Sequence, residues 1–293
     1  MGNRDEVKAF LSSRRAKISP EQAGLPHYSR NRRVPGLRRS EVADLAGVSV
    51  EYYSQLERGN LSGVSESVLD ALARALQLDE AERVHLRDLA RAAGPAARTR
   101  RTPPAQQVRP SLARILDGMT EVPAMVNNRC LDAVAANPLG RALFAPVFAA
   151  PARPVNHARF TFLDPPARDF WIDWERAADD AVATLRLAAG RDPYDKGLTD
   201  LVGELSTRSD AFGVRWAAHV VRLHRTGIKH FRHPVVGELH LSYEVMELPA
   251  DPGLSLIAFS AEAGSPDDDA LKFLASWAAA HDPADGLATP DQA

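Results

Sequence analysis

The sequence predicts two domains, an all-α module of five helices followed by an α+β domain. Three observations carry this prediction. The stretch EVADLAGVSVEYYSQLERG, Glu41 to Gly59, has the spacing of two short helices joined by a tight turn. PAARTRRTPPAQQVRP, Pro95 to Pro110, holds four prolines, four arginines and almost no large apolar residue, the composition of a linker. Late in the chain, apolar and polar residues alternate with the period of strands. At 293 residues each half can bury its own core. The expected organisation is a first domain at 1–94, a linker at 95–110, a second domain at 111–280 and a disordered polar tail at 281–293.

In the first domain, Val7, Phe10, Leu11 and Arg14 follow helical spacing and predict a helix from about Asp5 to Lys17. A long connection, Ser19 to Leu37, precedes the helix pair. Val42, Ala43, Leu45 and Ala46 form the apolar stripe of the first member, and Gly47 supplies the turn. Ser49 can cap the second member, whose Tyr53 and Leu56 face back onto the first. Leu69, Leu72, Ala73 and Leu76 repeat the pattern after Ser65 or Ser67 as cap. Asp79 with Glu82 reads as a capping box, followed by Leu86, Leu89, Ala90 and Ala93 on one face and Gly94-Pro95 as a stop.

This spacing leaves Val50, Glu51, Tyr52 and Gln55 facing outward near the start of the second helix of the pair. In a helix-turn-helix those positions reach base edges in the DNA major groove. The segment resembles an XRE-type helix-turn-helix, carried here by Ala46, Gly47, Tyr53 and the closing Leu56-Glu57-Arg58-Gly59. A generic pair of packed helices is the plainer alternative. Charge argues against it: residues 1–109 hold 19 Lys and Arg against 13 Asp and Glu, the remainder 17 against 25. Arg30, Arg32, Arg33, Arg38 and Arg39 cluster before the motif, where they can neutralise phosphates. The DNA-facing set is therefore Arg38, Arg39, Ser49, Val50, Glu51, Tyr52, Gln55 and Arg58, with Gln55 and Glu51 as base readers and Arg38 and Arg39 on phosphates.

The second domain mixes helix and strand. Pro123 to Asn127 and Cys130 to Ala135 read as two strands around Asn128-Arg129, followed by a long helical region. Its clearest helix is Asp169 to Gly190, with Trp174, Ala178, Ala181, Leu185 and Ala188 on one face. Ile228 to Phe231, Gly237 to Glu247 and Leu254 to Ala261 are the later strands. Within the middle one, Leu239, Leu241, Tyr243 and Val245 alternate with His240, Ser242 and Glu244, as in an antiparallel strand with one buried face. Five strands with helices inserted between the second and third make a PAS-like arrangement.

Four stretches carry a second resemblance: AAN at Ala135 to Asn137, ARFTFLDPPARDFWIDWE at Ala158 to Glu175, LVGELSTRSDAFGVRWAAHVV at Leu201 to Val221, and HPVVGELHLSYEVMEL at His233 to Leu248. They are similar to the ligand-binding domain of MmyB-like transcription regulators, and with the N-terminal module the similarity covers nearly all of Asp5 to Ala280 in the same order. This resemblance implies a PAS-like domain that holds a small apolar ligand, with a fatty acid as the leading effector. From the residues themselves, Trp171, Trp174, Trp216, Phe160, Phe162, Phe170 and Phe212 concentrate aromatic side chains, as either pocket wall or plain core. Arg215 and His219 could meet a carboxylate head group, or could pair with Glu175 or Asp179. The ligand candidates are Trp174, Trp216, Phe160, Phe212, Arg215 and His219.

Other classes find less support. No G-x-S-x-G, phosphate loop or dinucleotide fingerprint occurs, so no catalytic residue is assigned. Cys130 is the sole cysteine, which excludes an intramolecular disulfide and reads as a small buried thiol in a strand. Spacing places His230 and His233 on opposite faces and His219 and His224 off one helical face, so no metal site is expected. Asp164, Asp169 and Asp173 read as helix-start acids rather than a catalytic pair. No bilayer-spanning run and no signal-peptide core is found, so a cytoplasmic protein without membrane partners is expected. The expectation is a non-enzymatic regulator, cofactor-free apart from its effector, that binds an operator as a homodimer. The alternative is a regulator whose second domain binds no ligand and only dimerises or docks a partner.

Overall fold

A computed structural model describes residues 2–25, 36–94 and 107–281. Arg30, Arg32 and Arg33, most of the expected linker and the tail beyond 281 lie outside them.

α1 (Asn3–Lys17) has acids in its first turn and bases in its last, matching the helix dipole, and buries Val7, Phe10, Leu11 and Arg14. α2 (Arg39–Ala46) ends at Gly47, whose left-handed φ of 66° turns the chain into α3 (Val50–Glu57). The Ser49 hydroxyl accepts the Tyr52 N–H at 3.1 Å and caps α3. Ser65, rather than Ser67, caps α4 (Glu66–Ala75), and Asp79 and Glu82 form both hydrogen bonds of a capping box on α5 (Glu80–Ala92). The inner faces of these helices meet in one core containing Phe10, Leu37, Val42, Tyr53, Leu56, Leu72 and Leu89. Leu45 departs from the expected stripe. Val42, Ala43 and Ala46 already fill the inward face of α2, which leaves Leu45 38% exposed at its edge.

Next come α6 (Pro110–Gly118), β1 (Ala124–Asn128), β2 (Ala133–Ala136), α7 (Pro138–Leu143), α8 (Ala145–Ala149), α9 (His157–Leu163) and α10 (Ala167–Phe170). After them run α11 (Trp174–Arg191), α12 (Lys196–Arg208), α13 (Asp210–Ala217), β3 (Thr226–His233), β4 (Gly237–Glu247), β5 (Leu254–Ser260) and α14 (Pro266–His281). The strands form one five-stranded antiparallel sheet in the order β2-β1-β5-β4-β3, with α7 to α13 inserted between β2 and β3. β4 behaves as its alternation requires: Leu239, Leu241 and Tyr243 are buried while His240, Ser242 and Glu244 face out.

Two expectations need correction. The β1–β2 turn is longer than Asn128-Arg129, because the Asn128 side chain organises it: its Oδ1 accepts from the N–H groups of Cys130 and Asp132 at 2.9 Å, and Leu131 takes a positive φ of 63°. Cys130 is therefore a half-buried turn residue, not a buried strand thiol. The helix expected over Asp169 to Gly190 is broken after Phe170. Trp171 turns extended and bridges Phe231 of β3, Ile172 N–H donates to the His230 carbonyl at 3.3 Å, and the Asp173 carboxylate starts α11 by accepting from Arg176 N–H at 3.1 Å. Cross-strand hydrogen bonding overrides helical periodicity there.

Contacts divide the described residues into two compact units, one from Met1–Pro104 with Ala178–Leu223, the other from Ala105–Ala177 with His224–Ala293. The first boundary inside the inserted helices falls within α11. Thus the first unit contains the five N-terminal helices and also most of α11 with α12 and α13, and Val221 joins the N-terminal core.

Gly59 closes the helix pair with φ 96°, and a Cβ there would lie 2.6 Å from the Arg4 carbonyl oxygen on α1. Gly59→Ala should lower stability by about 2 kcal/mol or more, combining backbone strain with this clash. Gly63→Ala, with φ 75° but nothing near its Cβ, should show only the backbone part, about 1 kcal/mol. Urea titration of the two variants checks the difference; equal losses would mean that α1 does not constrain the end of the pair.

Candidate nucleic-acid interface and ligand-binding region

α2 and α3 present the surface that the sequence pattern places on DNA. Tyr53 and Leu56 are buried against the core, so Val50, Glu51, Tyr52 and Gln55 stand exposed on the opposite face of α3. Val50 and Tyr52 on this face are 37% and 36% accessible. Ser49, also exposed, spends an acceptor lone pair on its cap and keeps its O–H at the surface. Arg58 is exposed at the C-terminal end of α3, and Arg38 is exposed before α2, where its N–H donates to the Glu41 carboxylate at 2.6 Å.

Arg39 is held in place from beneath. Glu57, on the inward face of α3, is 2% exposed, and its two oxygens take Arg15 of α1 and Arg39 of α2 at 2.8 Å each. Burial alone would raise the Glu57 pKa, but the hydrogen bonds from the two guanidiniums hold it below the ordinary carboxylate value. Glu57 raises the Arg39 pKa in return through the same hydrogen bond. Half of the Arg39 side chain remains exposed. One carboxylate thus ties α1, α2 and α3 together and aims a cation. The sequence signal for Glu57 was its position four residues after Tyr53, on the core side of an amphipathic helix, where an acid must find a basic partner.

The expected ligand residues are divided between the two units. Phe160 and Trp174 belong to the second: Phe160 is buried edge-on to Phe170 at 5.7 Å, and Trp174 Nε1 donates to the Thr161 carbonyl at 2.9 Å beneath the Arg168 guanidinium. Phe212, Arg215, Trp216 and His219 belong to the first. Phe212 and Trp216 stack at 5.6 Å, and Arg215 pairs with Asp179 at 3.0 Å, the salt bridge the sequence left open. His219 is buried at a cluster the sequence did not indicate. Arg186, fully buried, contacts the Glu6 carboxylate and the Trp216 carbonyl, donates to His219 Nδ1 at 2.8 Å and lies 4.0 Å over the Trp216 ring. Burial would raise the Glu6 pKa, but the neighbouring His85 ring and the Arg186 charge hold it well below the ordinary range.

In the second unit the aromatic concentration lies elsewhere. Phe144 is surrounded by His157, Phe170, Trp171, Phe231 and Phe259 at 5.3 to 6.2 Å, between the short helices and the sheet. A shallow recess at its edge, lined by Trp171, Asp173, Arg176, Ala177, Ile228, Lys229 and His230, has room for roughly one water. The Trp171 Nε1 and His157 Nε2 atoms are sequestered with no hydrogen-bond partner among the described residues. Burial, with the Lys229 charge adding to it, pushes the His157 pKa down to about 4. His233 is likewise structural: its Nε2 meets the Ala142 carbonyl at 2.9 Å.

A helical unit that exposes the second helix of a helix-turn-helix, combined with an α+β unit built on a five-stranded sheet, defines a transcription regulator with a ligand-binding domain. Residues 14–86 match the helix-turn-helix domain family, and residues 108–274 match the MmyB-like transcription regulator ligand binding domain. The chain belongs to the MmyB-like transcription regulators. No curated protein matches it.

Two measurements follow from this geometry. Glu57→Ala leaves two arginines facing a vacated buried site and should cost about 2 to 4 kcal/mol, whereas Arg39→Ala, at a half-exposed position, should cost under about 1 kcal/mol. Chemical denaturation compares them, and a small loss for Glu57→Ala would remove it as the tie between the helices. The unfolded chain binds a proton at His157 near pH 6.5, but the folded chain does so only near 4. Stability should therefore fall as pH drops through that window, by at most about 3 kcal/mol from this group, and His157→Gln should flatten the fall. An unchanged profile in the variant would assign the acid sensitivity to other groups.

Proposed function

We propose that the chain is a one-component, non-enzymatic regulator that reads an operator through α3 and responds to a small apolar ligand, with a fatty acid as the leading candidate. The observation that carries the DNA half is the outward face of α3, where Val50, Glu51, Tyr52 and Gln55 are exposed while Tyr53, Leu56 and Glu57 are buried. Gln55 and Glu51 read bases, and Arg38 and Arg39 neutralise phosphates. A single module covers too few base pairs for specificity, so two copies bind an inverted repeat as a homodimer in the cytoplasm.

The ligand half rests on the family membership and on the aromatic shell around Phe144 in a PAS-like domain. The strand order and the helices inserted between β2 and β3 support the PAS-like reading. Of the residues first singled out, Phe160 and Trp174 border the helical side of the second unit, whereas Phe212, Arg215, Trp216 and His219 act through the first. The close packing of Phe144, Phe170 and Phe231 favours a rival reading in which this domain takes no ligand and only dimerises or docks a partner.

Gln55→Ala should lower discrimination between operator and random DNA by about 1 to 3 kcal/mol. Arg39→Ala should weaken all sequences alike and flatten the salt dependence by about one phosphate contact. Unchanged discrimination and unchanged salt slope would remove this face from the interface. For the ligand, the delipidated protein is titrated with fatty acids of increasing chain length while tryptophan fluorescence and operator affinity are followed. A saturable signal supports the sensor; none at any length, with no lipid recovered from the native protein, supports the rival.

A further inference from the structure

The span matched by the ligand-binding domain, 108–274, includes Ala178–Leu223, yet this segment packs into the unit that carries the helix-turn-helix. Its attachment is polar, buried and distant in sequence. Arg186 on α11 serves the Glu6 carboxylate on α1, the His219 ring and the Trp216 carbonyl at once, with its plane over the Trp216 indole. From the other side, Arg14 of α1 donates to the His219 carbonyl and pairs with Glu82 of α5 at 3.1 Å. Arg191 reaches Asp88 of α5 at 3.3 Å. At Gly190 a Cβ would lie 2.5 Å from the buried His85 ring, so the His85 side chain of α5 packs directly on the α11 backbone.

A buried ion pair of this kind couples its two elements stiffly. Hydrogen bonds weaken steeply with misalignment, and a buried carboxylate left without its cation is costly, so a displacement of α11 must either carry α1 with it or break the cluster. α1 is in turn joined to the end of α3 by Arg15 on Glu57 and by the close approach of Arg4 to Gly59.

We propose that Ala178–Leu223 is the coupling element of the regulator, belonging to the effector region by sequence and to the DNA-reading body by packing, with Arg186 as the residue that passes the effector state through Glu6 to α1. The inference rests on the ligand-responsive reading above. It makes Arg186 a positioning residue that contacts neither DNA nor effector.

The test uses the full chain and the double variant Glu6→Gln/Arg186→Met, which removes both charges and leaves neither buried alone. Operator affinity is measured with and without dodecanoic, tetradecanoic and hexadecanoic acid, fatty-acid binding is followed by tryptophan fluorescence, and hydrogen exchange is mapped along the chain. The double variant should bind the operator to within about threefold of wild type and still bind the fatty acid. The ratio of operator affinities with and without fatty acid, about tenfold in wild type, should fall to near one. A preserved ratio overturns the proposal. If wild type shows no fatty-acid response, the ligand reading fails and exchange alone decides the coupling: the double variant should speed exchange in α1 and in α11 to α13 together, and acceleration on one side only overturns it. If the double variant does not fold, Arg186→Lys, which keeps the charge beside Glu6 and loses the second arm to Trp216, is judged by the same readouts.

Discussion

An ionised carboxylate and a guanidinium can stay inside an apolar core only if each satisfies the other, and the first unit depends on meeting that condition at Glu6 and Arg186. Both are buried, and they come from residues 180 positions apart. Neither can be accommodated until the N-terminal helices and the α11–α13 segment have come together. Arg14, Glu82, Asp88 and Arg191 extend the same logic along α5. Such clusters give less net stability than an apolar core of equal volume, but they define a single arrangement, because only one register satisfies every donor.

The exposed face of α3 is built by the same economy of burial. Gly47 and Ser49 set the turn and the start of α3, and Tyr53 and Leu56 then orient the helix by what they must hide. The face left over is the one offered to a partner. Glu57 adds a positioning function, since its carboxylate restrains Arg39 at the edge of that face and Arg15 beneath it. Restraining a long cationic side chain in the free protein lowers the ordering cost of any contact it then makes.

In the second unit, the sheet and the short helices enclose rings rather than charges. Phe144 sits at the centre, and the extended turn at Trp171 closes the edge by pairing with Phe231. That pairing interrupts a helix, and among the described residues Trp171 Nε1 and His157 Nε2 are buried without a hydrogen-bond partner.

The sequence by itself determined what depends on neighbours along the chain. Caps at Ser49, Ser65 and Asp79, the turn at Gly47, the faces of α1 and α3, and the alternation of β4 were all legible, because the determining contacts lie within a few residues. Which face of α3 stays exposed was legible for the same reason. What only the tertiary structure decided depends on contacts between distant segments. The break at Trp171 follows from a strand more than fifty positions away, which periodicity cannot register. Asn128 reshaped a turn through its side chain, and Leu45 lost its place in the core to smaller neighbours that fit closer. Above all, His219, Arg215 and Trp216 read as one neighbourhood with Trp174 and Phe160, while folding assigned them to different units. Burial of Arg186 made that choice, because a buried cation must sit where its carboxylate is, and the carboxylate was Glu6.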